Sequence, residues 1–162
     1  TEWEPAHAKA LAEADLTNAT AEEKALSFII APDDNTARAV ADAFIADADV
    51  KEYRLCGADG VEGSVQYIID GKQDMTVYCN PEMITAAAMD LAQKLLAGES
   101  VEAAETVDNG VKEVATLRSD VQTITRDNLT EVFLDGGVYD KAAYKDFEGM
   151  SDAVKPANYN GR

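Results

Sequence analysis

Apolar residues along this chain alternate between short runs typical of strands and stripes at helical spacing. Successive side chains of a strand point to opposite faces, whereas residues three and four apart share one face of a helix. The pattern predicts strands over residues 26–30, 52–56 and 75–79 and helices over residues 6–14, 35–45, 61–69 and 81–96. Strands and helices in regular succession indicate an α/β fold with a mainly parallel sheet.

Short local signals mark the ends of the predicted helices. Asp34 or Asn35 can cap the second helix, because a short side-chain oxygen accepts a free N–H of the first turn. Pro81 can open the fourth helix and Gly98 can end it. The more polar remainder is predicted to hold extended segments over 114–117 and 121–125 and a last helix or turn over 127–134.

Composition narrows the classes of partner. The 162 residues are 46% hydrophobic and 28% charged, enough for one compact core, and no apolar run approaches the roughly 18 residues of a membrane span. The formal net charge of −17 repels phosphate backbones and anionic lipids, so neither nucleic acid nor a membrane surface is an expected partner. No cofactor is predicted, since the chain has no phosphate-binding glycine loop and no three-glycine dinucleotide pattern.

The cysteines and the single histidine do not indicate a metal site or a catalytic dyad. Cys56 and Cys79 lack metal-type spacing and fit either one disulfide or two free thiols. His7 has no second histidine to help bind a metal and is expected on the surface of the first helix. Asp33 and Asp34 could in principle do acid–base chemistry, but no other feature supports an enzyme. Residue types and spacing alone therefore leave the function undecided.

Two loops that follow predicted strands carry carboxylates where a ligand could bind. Ligands of open parallel sheets bind beyond the carboxyl ends of the strands. Asp33 follows the first strand, Asp59 lies in the turn 57–60 after the second, and Cys79 ends the third. A carboxylate at such a position can accept hydrogen bonds from two hydroxyl groups, which suits a sugar. The alternatives are that Asp33 only caps a helix, Asp59 only forms a turn, and Trp3 only packs in the core.

Taken in order, these segments carry a family resemblance that runs from Trp3 to Tyr139. It rests on residues 3–5, 31–37, 57–59, 65–71, 75–78, 108–114 and 135–137, of which Met-Thr-Val-Tyr and Asn-Gly-Val-Lys are the most specific. The chain resembles the xylose-type periplasmic sugar-binding proteins of ABC transporters. The resemblance implies a type 1 periplasmic binding protein fold, in which two lobes close over a monosaccharide and present it to a permease. It also implies a location in the periplasm or outside the cell.

The resemblance further implies roles for four residues. The position of Trp3 stacks an aromatic ring on the sugar, while those of Asp33 and Asp59 bond its hydroxyl groups. The family usually has Asn where this chain has Asp33, and Lys or another polar residue where it has Cys79. Asp33 has no amide donors and Cys79 makes no charge-assisted contact, so the accepted pattern of hydroxyl groups is expected to differ from that of xylose. A sugar-sensing domain of a regulator or membrane sensor is the alternative function.

The resemblance also implies domain limits. Residues 1–74 and 99–149 are expected to form the second, C-terminal lobe, 75–98 to belong to the first lobe, and 150–162 to form a tail. The N-terminal half, with most of the first lobe, would then lie outside this chain. The apolar face of the fourth helix would be left bare unless it folds back, is covered by a first-half chain, or pairs with another copy. We expect a homodimer through residues 75–97.

Overall fold

The computed structural model describes residues 2–103 and 105–144, which divide into two units. Unit 1 comprises the described residues up to Tyr78 and from Thr123 onward, and unit 2 comprises those of Cys79–Gln122. The elements, in chain order, are α1 (Pro5–Asn18), β1 (Ser27–Ile30), α2 (Asp34–Ala46), β2 (Tyr53–Ala58), α3 (Glu62–Ile69), β3 (Met75–Tyr78), α4 (Pro81–Leu96), β4 (Glu105–Asp108), β5 (Glu113–Thr116), β6 (Gln122–Thr125), a π-helix (Thr130–Asp135) and a 3-10 helix (Lys141–Ala143).

Unit 1 is built on a sheet with the strand order β1-β2-β3-β6. β1 and β2 run parallel, with Ser27 opposite Tyr53, and β2 and β3 run parallel, with Cys56 opposite Met75. The predicted α/β fold with a parallel sheet is confirmed. Because parallel strands end at the same edge, the loops after β1 and β2 lie next to each other.

Two apolar clusters stabilise unit 1. The first joins α1 and α2 to β2, with Ala37, Ala41 and Leu55 at its buried centre. The second joins α3 to β3, β6 and the residues that follow, and its fully buried members include Ile68 and Phe133. The helical stripes predicted from spacing on α2 and α3 are the faces that pack in these clusters, so these predictions are confirmed.

Unit 2 holds α4 and the antiparallel hairpin of β4 and β5. Asn80 caps α4, since its Oδ1 accepts from the backbone N–H groups of Glu82 at 3.0 Å and Met83 at 3.2 Å. The helix ends before Gly98, as predicted. No residue of α4 is buried, and Leu91 alone is partly covered.

Three local features compare differently with the sequence predictions. Asp33, one of the three residues that could cap α2, does so, while Asp34 is buried. β4 was not predicted, since the polar segment Glu105–Asp108 becomes a strand only by pairing with β5. The predicted last helix or turn over 127–134 is confirmed as a turn followed by the π-helix Thr130–Asp135.

The division into units also differs from the predicted lobe limits. Strand 75–78 lies in the sheet of unit 1, and unit 2 extends to Gln122 where the predicted segment ended at residue 98. The assignment of these segments to two lobes stays a prediction, and the predicted tail 150–162 lies outside the described residues. In the described ranges no helix has both the length and the apolar content to cross a membrane.

Candidate functional site

The carboxyl edge of the unit 1 sheet brings together the loops in which carboxylates were predicted to bind a ligand. The backbone N–H of Ala31 donates to Cys56 O at 3.0 Å, so the loop after β1 starts against the end of β2. The N–H of Asp59 donates to Val77 O at 2.8 Å, which holds the next loop against β3. Asp33 and Asp59 thus follow two neighbouring strands at the same edge.

Asp33 caps the first turn of α2. Its Oδ1 accepts from the backbone N–H groups of Asn35 at 2.8 Å and Thr36 at 3.1 Å, and its Oδ2 accepts from Thr36 Oγ1 at 2.8 Å. A carboxylate has about four lone-pair positions, so most of its accepting capacity is used within α2. Only 7% of Asp33 is exposed. The helix-cap alternative therefore describes its contacts, and a role toward sugar hydroxyl groups stays a prediction.

Asp59 presents an exposed carboxylate from a strained backbone position. Its φ of +95° lies in the left-handed region, which residues with a side chain rarely occupy. Such a conformation costs of order 1–3 kcal/mol and persists only where surrounding contacts hold it, as they often do at ligand sites. The exposed carboxylate is available to accept hydrogen bonds from a ligand.

Trp3 lies before α1 and is 68% exposed, so the alternative that it packs in the core is wrong. Cys79 directly follows β3, is the first residue of unit 2 and is partly buried. Cys56 and Cys79 are both free, so the disulfide alternative does not hold. His7 is exposed on α1, as predicted.

Asp34 is a buried carboxyl at this edge that sequence reasoning missed. It is 0% exposed and accepts from Gln73 Nε2 at 2.8 Å, Thr76 Oγ1 at 2.9 Å and the N–H of Val61 at 3.0 Å. Burial raises the pKa of Asp34 above its ordinary value, while these hydrogen bonds oppose that rise. The signal in the sequence was the pair of adjacent aspartates, of which only one can cap a helix.

The loop that carries Asp59 is held on a further side by the C-terminal segment. The hydroxyl of Tyr139 donates to Gly60 O at 2.7 Å. The rings of Tyr139 and Phe133 pack edge-on, with their centroids 5.4 Å apart. The rings of Phe133 and Tyr78 pack in the same way, with their centroids 4.9 Å apart. Among the described residues no group of three or more His, Cys, Asp or Glu could hold a metal ion.

Comparison with known proteins assigns the class. Residues 1–100 match the family model described as "Periplasmic binding protein domain", and this match spans well over half of the chain. The chain belongs to the periplasmic binding protein domain family. The parallel sheet with candidate ligand groups at its carboxyl edge agrees with that membership.

Particular relatives are sugar-binding proteins. The chain is 46% identical to a carbohydrate transporter solute-binding protein from Chloroflexus aurantiacus solved in complex with D-glucose, with a TM-score of 0.82 over 90% of this chain and 43% of that one. It is 26% identical over 122 residues to the D-xylose-binding periplasmic protein of Haemophilus influenzae, covering 75% of this chain and 37% of that protein. An ABC transporter solute-binding protein from Clostridium phytofermentans shares the fold at 21% identity, with a TM-score of 0.77 over 86% of this chain and 44% of that one. The chain thus spans about two fifths of these relatives' length.

Proposed function

We propose that the protein containing this chain captures a monosaccharide, an aldose such as xylose, glucose or galactose, for uptake by an ABC transporter. The observation that carries the proposal is the 46% identity, over 90% of this chain, to a solute-binding protein in complex with D-glucose. Such a protein binds and delivers its ligand without chemical change, so it is not an enzyme. Its partner would be the transporter permease, and its place would be the periplasm or the outer side of the cell envelope.

Four residues form the proposed contribution of this chain to the sugar site. The exposed ring of Trp3 suits stacking on the apolar face of a sugar, because aromatic faces bury apolar area. The exposed Asp59 carboxylate suits bonding to two hydroxyl groups. Asp33 contributes less, since its oxygens already cap α2. Cys79 stays a predicted contributor, as a weak polar group in place of a charged donor.

Calorimetry of the full-length protein against a panel of pentoses and hexoses tests this proposal. The full-length protein is needed because a ligand in a cleft takes its contacts from both walls. We expect binding of at least one aldose, and we expect Asp59→Ala to weaken it about tenfold or more through the loss of a charged acceptor. Asp49→Ala, which removes an exposed aspartate near the end of α2, should leave affinity unchanged and serves as the control.

The other outcomes of this experiment have distinct meanings. No heat with any sugar would contradict the proposal. Sugar binding by a full-length protein that also carries a DNA-binding or membrane-signalling segment would favour the regulator or sensor alternative. Turnover of a sugar that Asp59→Asn abolishes would identify an enzyme.

We also propose that the 162-residue chain by itself pairs with a second copy through residues 75–97. One side of α4 carries apolar residues at helical spacing, and all of them are exposed except Leu91, which is partly covered: Ile84, Ala87, Ala88, Leu91 and Leu95. Burying each Leu- or Ile-sized side chain contributes roughly 1.5–3 kcal/mol, so a bare apolar helix face is adhesive. A second copy supplies a matching apolar face, which supports a symmetric contact.

A further inference from the structure

The Asp34 carboxylate joins the start of α2 to the loop after β2, through Val61, and to β3 and the residues before it, through Thr76 and Gln73. Asp34 is the first residue of α2, Gln73 precedes β3, Thr76 lies in β3, and Val61 directly precedes α3. The last three each donate one hydrogen bond, of 2.8 to 3.0 Å, to the two oxygens of the Asp34 carboxylate. The α2 backbone is tied to α3 as well, since Ser64 Oγ donates to Asp34 O at 3.4 Å.

The space around this carboxylate is filled. A Cβ on Gly57 would lie 2.3 Å from Asp34 Oδ1 and 2.9 Å from Gln73 Nε2, closer than side-chain atoms pack. Glycine at position 57 therefore lets the carboxylate approach the β2 backbone directly. Gly57, Gln73 and Thr76 are all buried, which shields these hydrogen bonds from water. The arrangement fixes Asp34 in one position.

Both residues after Asp59 are held by this carboxylate. The N–H of Val61 bonds Asp34 Oδ2 directly. The N–H of Gly60 donates to Thr76 Oγ1 at 3.1 Å, and that hydroxyl donates in turn to Asp34 Oδ2 at 2.9 Å. A residue with the φ of Asp59 keeps that conformation only where its neighbours hold it.

We propose that Asp34 is a positioning residue of the ligand site, which holds the loop 59–61 and thereby aims the Asp59 carboxylate at the ligand. Asp34 itself is 0% exposed. The inference rests on the proposed sugar-binding function. It assigns the pair of aspartates at the start of α2 two different tasks, because Asp33 caps the helix while Asp34 orders the neighbouring loop.

The chemistry of the site requires a carboxylate at position 34. Three donors converge on its two oxygens, so both oxygens must accept. An asparagine of the same shape would replace one acceptor by an NH2 group, which then faces either the side-chain Nε2 of Gln73 or the donors Thr76 and Val61. Asp34→Asn therefore breaks part of the hydrogen bonding without changing side-chain volume.

The test measures sugar affinity of the full-length protein by calorimetry, with the aldose that binds the wild type most tightly. We expect Asp34→Asn to weaken binding about tenfold, the effect of losing one charge-assisted hydrogen bond that orders the site. Asp42→Asn is the matched control, since Asp42 also lies in α2 and accepts a hydrogen bond, from Tyr67 Oη at 2.7 Å, but is exposed. The control should bind within about twofold of the wild type.

A double-mutant cycle separates positioning from general loosening. If Asp34 acts through Asp59, Asp34→Asn should cause no further loss of affinity in an Asp59→Ala background. An equal loss in both backgrounds would overturn the proposal. Faster amide hydrogen exchange at Gly60 and Val61 in Asp34→Asn, but not in Asp42→Asn, is expected in the absence of sugar, and unchanged exchange would also overturn it.

The remaining outcomes are equally decisive. If the wild type binds no sugar, the proposed function fails and the positioning role fails with it. If the wild type binds sugar and Asp34→Asn binds it equally well, only the positioning role fails. Should Asp34→Asn not fold, Thr76→Val, which removes the hydroxyl between Asp34 and Gly60, takes its place. Thr76→Val should weaken binding severalfold in a protein that keeps Asp59 and should cause no further loss in the Asp59→Ala background. Affinity equal to that of the wild type would overturn the proposal.

Discussion

Helices α3 and α4 both carry apolar residues at helical spacing along one face, but only the face of α3 is buried. Ile68 of α3 is fully buried in the second cluster of unit 1. Ile84 of α4 is 38% exposed, and no residue of α4 is buried. An apolar stripe shows that a helix needs a partner surface, but the stripe alone does not say whether the same chain supplies it. α3 finds that surface within unit 1, whereas no residue of α4 is buried.

Of the predicted effects, the largest is the difference in free energy of unfolding between truncating Ile68 of α3 and truncating Ile84 of α4. Ile68→Ala leaves a cavity in a filled core, so we expect it to lower the free energy of unfolding by about 2–5 kcal/mol. Ile84→Ala removes a side chain that is 38% exposed in the single chain, so at dilutions where the proposed pair dissociates we expect a loss below about 1 kcal/mol. Urea unfolding of the two variants, followed by circular dichroism, measures both values. Equal losses would show that α4 is covered as fully as α3.

A charge on α4 should break the proposed pairing without unfolding unit 1. We expect the 162-residue chain to scatter light as a dimer that dissociates on dilution, and Leu91→Asp to scatter as a monomer, because an aspartate cannot be buried unpaired in an apolar contact. Unfolding of unit 1 should be unaffected in this variant. Glu82→Asp, which keeps the charge of another α4 residue, is the control. A wild-type chain that stays monomeric at every concentration would rule out the dimer.

A smaller predicted effect is the pH dependence of stability that the buried carboxyl of Asp34 causes. The pKa of Asp34 is raised above its ordinary 3.8 in the folded protein, mainly by burial. Between pH 3.8 and the higher pKa of the folded state, Asp34 has lost its proton in the unfolded protein but keeps it in the folded protein. The contribution of Asp34 to stability is therefore full below pH 3.8 and declines as the pH rises above that value. Asparagine does not titrate. The stability of the wild type relative to Asp34→Asn should therefore fall as pH rises through this window.

Unfolding curves of both variants at a series of pH values measure that change. Other carboxylates titrate in both proteins, so the difference between the two isolates Asp34. A wild type that gains stability over Asp34→Asn as pH rises would mean that hydrogen bonding outweighs burial and lowers the pKa of Asp34.

Most of the secondary structure could be predicted because its causes are local. The stripe of α2, the proline that opens α4 and the glycine after it act through neighbouring residues in the chain. β4 could not be predicted, since its polar residues form a strand only against β5. The division after Tyr78 could not be predicted either, because it depends on which strands pair in the sheet.

The candidate site could be predicted as a place, but not in the tasks of its residues. Asp33 and Asp59 follow predicted strands, and the carboxyl ends of parallel strands meet at one edge, so the sequence predicted that their loops lie side by side, as they do. It could not distinguish Asp33 from Asp34, because two adjacent aspartates have the same propensities. The burial of Asp34 depends on Gln73 and Thr76, which lie about forty residues further along the chain.

The sequence by itself determined the class of this protein: the α/β succession, the parallel sheet and the family resemblance all follow from residue order. The tertiary structure alone decided which carboxylate is exposed and which is buried, that Trp3 is exposed, and that α4 lies uncovered among the described residues. The physical reason is the range of the interactions. Periodicity and capping act within a few residues, whereas burial and hydrogen-bond convergence depend on segments that meet only when the chain folds.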